Sequence, residues 1–103
     1  MSSSLPFLFT VTDRFPLEKR GLLIMPGIPL EGAPAVRRGD PLTLRTPLGD
    51  IIKTSIKDLE WIRQEERSAE FSSLFILLPK GIHKFDIPIG TEVFLGCDED
   101  SSP

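Results

Sequence analysis

The 103-residue chain has little cysteine and no long apolar run, and both shortages exclude classes of protein. Its single cysteine, Cys97, cannot form a disulfide within the chain, and no second cysteine or paired histidine stands near it to complete a zinc site. The longest apolar runs span a few residues, far below the roughly 20 that a membrane-spanning helix needs. No basic segment precedes an apolar one at the N-terminus, so the predicted location is the cytoplasm.

Basic residues do not outnumber acidic ones in this chain. A net charge of −3 and a pI near 5.1 argue against unselective binding to nucleic acid or anionic lipid, which needs a basic excess on one face. Three of the acidic residues lie close together near the C-terminus, at 98–100, so the rest of the chain is about neutral and leaves room for a modest basic patch. We expect one domain over residues 5–96, flanked by flexible ends at 1–4 and 97–103.

Residues 40–62 show the period-two alternation of a β-hairpin with one buried face. Leu42 and Leu44 alternate with polar residues before a turn, and Ile52 and Ile56 alternate with polar residues after it. A Gly-Asp pair in the turn favours a tight reversal, because glycine adopts positive φ without a Cβ clash. The stretch therefore predicts two strands folded back on each other.

Four further apolar runs complete a predicted set of six short strands, at residues 5–11, 21–25, 74–78 and 91–95. Residues 13–19 contain a proline and several charges and predict a loop, while the proline-rich and glycine-rich residues 26–34 predict irregular structure. Residues 82–86 favour a short helical turn. Frequent turn signals and no long helix are typical of a small barrel or sandwich. We predict a closed, antiparallel-rich, six-stranded barrel, because closure removes both sheet edges.

The alternation also predicts which side chains are buried. The expected core consists of Phe7, Phe9, Val11, Leu42, Leu44, Ile52, Ile56, Ile76 and Val93. Residues 22–25 and 74–78 are apolar on both faces, so their outward side chains need a cover. The cover is either the proline-rich segment of the same chain or another molecule. We favour another molecule, with a homodimer as its simplest form.

Six short motifs occur in one order along the chain. They are Asp13-Arg14-Phe15, Arg20-Gly21, Gly39-Asp40-Pro41-Leu42, Thr54-Ser55-Ile56, the run 76–82 (ILLPKGI) and Ile89-Gly90-Thr91. In order and approximate spacing they resemble the second domain of elongation factor Tu and its relatives, and the resemblance covers residues 5–96. It implies a six-stranded barrel of the translation-factor type, standing alone. GTP binding is not implied, because the chain has no G-x-x-x-x-G-K-[ST] stretch to hold phosphates.

The resemblance also implies candidate site residues. In that family the domain helps to hold the aminoacylated 3′ end of transfer RNA, with residues around the D-x-F motif and a glutamate after the T-x-[IV] strand. Asp13 and Phe15 match the first of these positions, and Lys57 falls near the second. The resemblance therefore implies a weak binding site for an RNA 3′ end at these three residues.

Three other residues are candidates for binding. Arg37 and Arg38 form a basic turn that is either a contact for a partner or a solvated loop. Trp61, the only tryptophan, either covers one end of the barrel or anchors a partner. Both readings stay open from the sequence.

A small enzyme is the competing hypothesis. It would depend on isolated residues, and it requires Asp13, His83, Glu92 and Cys97 to meet in one pocket. No motif supplies a nucleophile with its base, a metal cluster or a cofactor loop. We therefore predict a non-catalytic binding module without cofactor or metal, whose partner is a protein or a second copy in preference to RNA.

Overall fold

The computed structural model describes residues 5–29, 35–62 and 73–97. Its elements there are β1 (Phe7–Thr10), β2 (Asp13–Leu17), β3 (Gly21–Pro29), β4 (Pro41–Arg45), β5 (Ile51–Ser55), β6 (Asp58–Ile62), β7 (Ser73–Leu78), a 3-10 helix (Lys84–Asp86) and β8 (Glu92–Leu95). The strands form two four-stranded antiparallel sheets, sheet A in the order β1-β8-β4-β5 and sheet B in the order β2-β3-β7-β6. The all-β prediction is confirmed, while no closed barrel ladder is present among the described residues. The described part also contains no helix that is long and apolar enough to cross a membrane.

The chain passes from sheet A to sheet B at a first corner between β1 and β2. The backbone amide of Val11 donates to the carbonyl oxygen of Thr91 at 2.8 Å, beside sheet A. The amide of the next residue, Thr12, donates to the carbonyl oxygen of Met25 at 2.8 Å, in sheet B. Hydrogen bonding therefore continues around the corner, as expected where one strand bends to serve two sheets.

A second corner lies between β5 and β6 and is built in the same way. The amide of Ile56 donates to the carbonyl oxygen of Asp40 at 3.0 Å, next to β4. The amide of Lys57 donates to the carbonyl oxygen of Leu77 at 2.9 Å, on β7. Residues 51–62 are thus one bent segment, rather than the single second strand of a hairpin that the sequence predicted.

The core lies between the two sheets. Seven of the predicted core residues are buried, namely Phe9, Val11, Leu42, Leu44, Ile56, Ile76 and Val93, and Ile52 packs against them partly buried. The prediction for Phe7 is wrong, because its side chain is 51% exposed. The register of β1 against β8 shifts between Phe7 and Phe9, so that Leu8 and Phe9 are both buried. A bulge of this kind breaks the alternation on which the prediction depended.

The prediction of a loop over residues 13–19 is wrong. The segment contains β2, which pairs with β3 from Asp13 opposite Met25 to Leu17 opposite Gly21. β2 is the edge strand of sheet B, so a proline is tolerated there because one row of backbone groups faces no neighbouring strand of that sheet. Only the reversal after Leu17 is a turn.

The prediction of irregular structure over residues 26–34 is also wrong in its first part. β3 continues to Pro29, and its pairing with β7 resumes at Ile28 opposite Leu74 after an irregularity that follows Ile24. A bulge is a position where a strand tolerates proline. The rest of that segment, 30–34, lies outside the described residues, as does the predicted flexible end at 1–4 and, apart from Cys97, the one predicted at 97–103. The helical turn predicted at 82–86 is confirmed by the 3-10 helix.

Candidate functional site

The structure places Asp13 and Phe15 on the outer face of sheet B. Both alternate with Arg14, which lies opposite the buried Ile24, so their side chains point away from the core. One carboxylate oxygen of Asp13 accepts a hydrogen bond from the amide of Arg14 at 2.9 Å, which is a local contact. Phe15 is 48% exposed. The ammonium of Lys57, at the second corner, donates to the carbonyl oxygen of Arg20 at 2.7 Å, so it already has a partner within the chain.

The same face of sheet B carries a bridge of charged side chains. Arg20 precedes β3 and forms an ion pair with Glu60 on β6, and β7 lies between these strands. The Arg20–Glu60 ion pair therefore spans β7. The side chain of Lys57, which lies next to β6, also spans β7 to reach the carbonyl oxygen of Arg20. Leu77 on β7 is only 1% exposed although it points outward, and Leu23 beside it is also buried. Both side chains are therefore buried on the outer face of sheet B within the single chain.

The predicted arginine turn serves the local structure. The amide of Arg37 donates to a carboxylate oxygen of Asp40 at 2.9 Å, which closes the turn before β4. The Nε of Arg38 lies 3.8 Å from a carboxylate oxygen of Asp58 at the start of β6. The backbone of Trp61 pairs with β7, and its side chain lies outside the described residues. The described contacts of Arg37 and Arg38 are therefore with their own turn and with β6 rather than with Asp13.

A cleft lies between the β4–β5 turn and the 3-10 helix, and we call it the turn cleft. It encloses about 400 Å³ and is lined by Thr46, Leu48, Asp50, Ile52, Ile82, Phe85, Asp86 and Pro88. Leu48 and Phe85, each 85% exposed, are the most exposed large apolar side chains in the described part of the chain. The floor consists of Ile52 and Ile82, which pack partly buried against the core. The only charged residues among those lining the cleft are two carboxylates.

Local hydrogen bonds hold both walls of the turn cleft in place. The amide of Asp50 donates to the hydroxyl oxygen of Thr46 at 3.0 Å, and the amide of Thr46 donates to the carbonyl oxygen of Asp50 at 2.9 Å. This closed turn leaves Leu48 at its tip. In the 3-10 helix, Asp86 accepts a hydrogen bond from the amide of the residue before the helix at 3.1 Å, which fixes the turn that carries Phe85 outward. Both apolar side chains are therefore presented by well-formed turns.

Sequence reasoning missed the turn cleft. It assigned Leu48 to a turn and Phe85 to a helical turn without joining them, because their separation along the chain gives no local pattern. The signal that was present is a large apolar side chain in each of two turns, where polar residues are expected.

The four residues of the catalytic hypothesis lie in different parts of the fold. Glu92 accepts hydrogen bonds from Nε and Nη2 of Arg45 at 2.9 and 2.6 Å on sheet A. His83 precedes the 3-10 helix and lines a cleft of about 230 Å³ between that helix and the β2–β3 hairpin. Asp13 begins β2, and Cys97 follows β8. Within the described ranges, no group of three or more His, Cys, Asp or Glu side chains could hold a metal ion.

No family model matches the chain, and no curated protein or solved structure matches it either. The resemblance to the second domain of elongation factor Tu therefore remains a hypothesis from the sequence.

Proposed function

We propose that the chain is a non-catalytic binding module that docks a segment of a partner protein in the turn cleft. The observation that carries this proposal is that Leu48 and Phe85, the two most exposed large apolar side chains described, line the same cleft above an apolar floor. Apolar anchors and pockets of this kind are where the binding energy of protein interfaces concentrates. Covering one such side chain removes apolar surface worth about 1.5 to 3 kcal/mol.

The charges of the cleft define the partner segment. Asp50 and Asp86 are carboxylates, and no basic residue among the described ones lines the cleft with them. An acidic rim around an apolar floor favours an apolar side chain that is followed or preceded by Lys or Arg. An acidic peptide would meet repulsion at the same place. The partner is therefore expected to offer a short apolar and basic segment.

The barrel of the translation-factor type forms part of the same proposal. Its support comes from the two corners, where backbone hydrogen bonding passes from β1 to β2 and from β5 to β6. If each bent segment counts as one strand, the order β1-β8-β4-β5 continues into β6-β7-β3-β2 and returns to β1. That circuit has six strands, the number that the sequence resemblance implies.

Titration of isotope-labelled protein with two capped dipeptides tests the proposed function. Acetyl-Phe-Arg-amide should shift the backbone amide signals of Leu48, Ile82 and Phe85, and acetyl-Phe-Glu-amide should bind several-fold more weakly, because its charge is reversed. Shifts that map instead to Phe15 on sheet B would contradict the choice of cleft.

A pair of matched variants sharpens the test. Phe85→Ser removes one wall of the cleft and should weaken binding of acetyl-Phe-Arg-amide by about tenfold, which corresponds to a loss of about 1.4 kcal/mol. Ile89→Ser removes another exposed apolar side chain, which does not line the cleft, and should leave binding unchanged. Equal effects of both substitutions would indicate unspecific apolar contact. Sedimentation of the free protein over a micromolar range shows whether a second copy occupies the site.

A further inference from the structure

A second pocket, independent of the turn cleft, lies on the outer face of sheet A. It encloses about 320 Å³ and is lined by Leu5, Thr43, Arg45, Ile51, Lys53 and Phe94. None of these residues lines the turn cleft. We call it the sheet A pocket. It combines three apolar side chains with two cations, and the proposed function leaves it unused.

The apolar wall of the sheet A pocket is built by strand register. Phe94 on β8 lies opposite Phe7 on β1, and their rings meet edge to face with centroids 5.6 Å apart. Thr43 on β4 lies between Phe94 on one side and Lys53 of β5 on the other. Phe7 and Ile51 are both about half exposed. This face of the sheet therefore exposes aromatic and aliphatic side-chain surface that a ligand can contact.

The charge of the sheet A pocket is positive. The guanidinium of Arg45 lies 5.5 Å from the centre of the Phe94 ring, in a cation–π contact. Its Nε and Nη2 donate to Glu92, which holds the guanidinium in place and leaves Nη1 outside that pair. Lys53 forms no salt bridge with a carboxylate among the described residues. One compensated and one uncompensated cation thus flank the apolar wall.

We propose that the sheet A pocket binds a small apolar acid, with an aromatic or aliphatic body and one carboxylate. The body packs against Phe94 and Ile51, and the carboxylate accepts hydrogen bonds from Arg45 and Lys53. The volume is near the lower limit of small-molecule sites, which fits a body of one ring. A cationic ligand of the same shape is repelled by the uncompensated charge of Lys53. The inference does not depend on the proposed function, since the turn cleft carries the opposite charge.

A titration of the isotope-labelled protein with 3-phenylpropionate tests this inference. The backbone amide signals of Thr43, Arg45, Lys53 and Phe94 should shift and saturate, with a dissociation constant on the order of a few millimolar for a ligand of about eleven non-hydrogen atoms. The cation 3-phenylpropylamine, with the same ring and chain length, should produce no saturable shift at these amides. Equal binding of both compounds would overturn the proposal, as would saturable shifts confined to the turn cleft.

Substitution of one lysine distinguishes a specific binding site from general electrostatic attraction of anions. Lys53→Gln should weaken binding of 3-phenylpropionate about threefold, as expected for loss of one exposed charge contact. Lys80→Gln removes an exposed lysine that does not line the sheet A pocket and should leave the dissociation constant unchanged. Equal effects would overturn the assignment. Adenosine monophosphate that binds more tightly than 3-phenylpropionate at the same amides would overturn the ligand class.

Discussion

The bulge in β1 exchanges the places of two neighbouring side chains and so makes a sharp prediction about stability. A regular strand would bury Phe7 and Phe9 and expose Leu8, whereas Leu8 is 8% exposed in the core and Phe7 lies outside. Leu8→Ala should therefore lower the free energy of unfolding by about 2 to 4 kcal/mol, through lost burial and the cavity left behind. Phe7→Ala should cost about 1 kcal/mol, because it removes a half-exposed ring and its contact with Phe94.

Urea denaturation followed by far-ultraviolet circular dichroism measures both losses, and unchanged m-values would show that the two variants are comparable. In thermal melts, 1 kcal/mol corresponds to about 4 to 8 °C for a domain of this size, so the two variants should be clearly resolved. Phe9→Ala is the internal standard, because Phe9 is buried under either arrangement and should cost about 3 to 5 kcal/mol. A larger loss for Phe7→Ala than for Leu8→Ala would refute the bulge.

Two further predictions concern the backbone. Gly21 has a φ of 137° and its Cβ would overlap the carbonyl oxygen of Leu78, so Gly21→Ala should cost about 3 kcal/mol or more in urea denaturation. Gly39→Ala, where φ is 90° and no atom lies within 4 Å, should cost about 1 kcal/mol, and equal losses would contradict the overlap. Thr91→Val should cost about 1 kcal/mol in the same assay, because the buried hydroxyl of Thr91 donates to the carbonyl oxygen of Pro88 at 2.6 Å; an unchanged midpoint would show that this hydrogen bond contributes nothing.

The sequence predicted those parts of the fold in which apolar residues are buried and polar residues are exposed. The β4–β5 hairpin was predicted because one face of each strand is buried and the other is not, so the alternation is visible. β2 was missed because it is an edge strand whose residues are exposed or only partly buried on both faces, so it needs no apolar alternation. The bulge in β1 was missed because successive apolar residues, here Leu8 and Phe9, do not identify a bulge. They are equally consistent with a change of register and with a strand that is covered on both faces.

The candidate site was predictable only where it is local. Asp13 and Phe15, which the sequence joined through the D-x-F motif, lie on the same face because they are two residues apart on β2. The contact of Lys57 with Arg20 joins residues that are 37 positions apart, and no periodicity encodes it. The turn cleft depends in the same way on the meeting of the β4–β5 turn with the 3-10 helix. Long-range pairing therefore decides which candidate side chains remain available to a partner.

This long-range pairing also changes where a partner is expected to bind. From the sequence, the strands that are apolar on both faces required a cover, and an intermolecular one was favoured. In the structure Leu23 and Leu77 are buried on the outer face of sheet B within a single chain. Since these two side chains are already buried, they give no further reason for a partner. Among the described residues, the large apolar side chains that are most open to water lie instead at the turn cleft, so a protein partner would gain most apolar contact there.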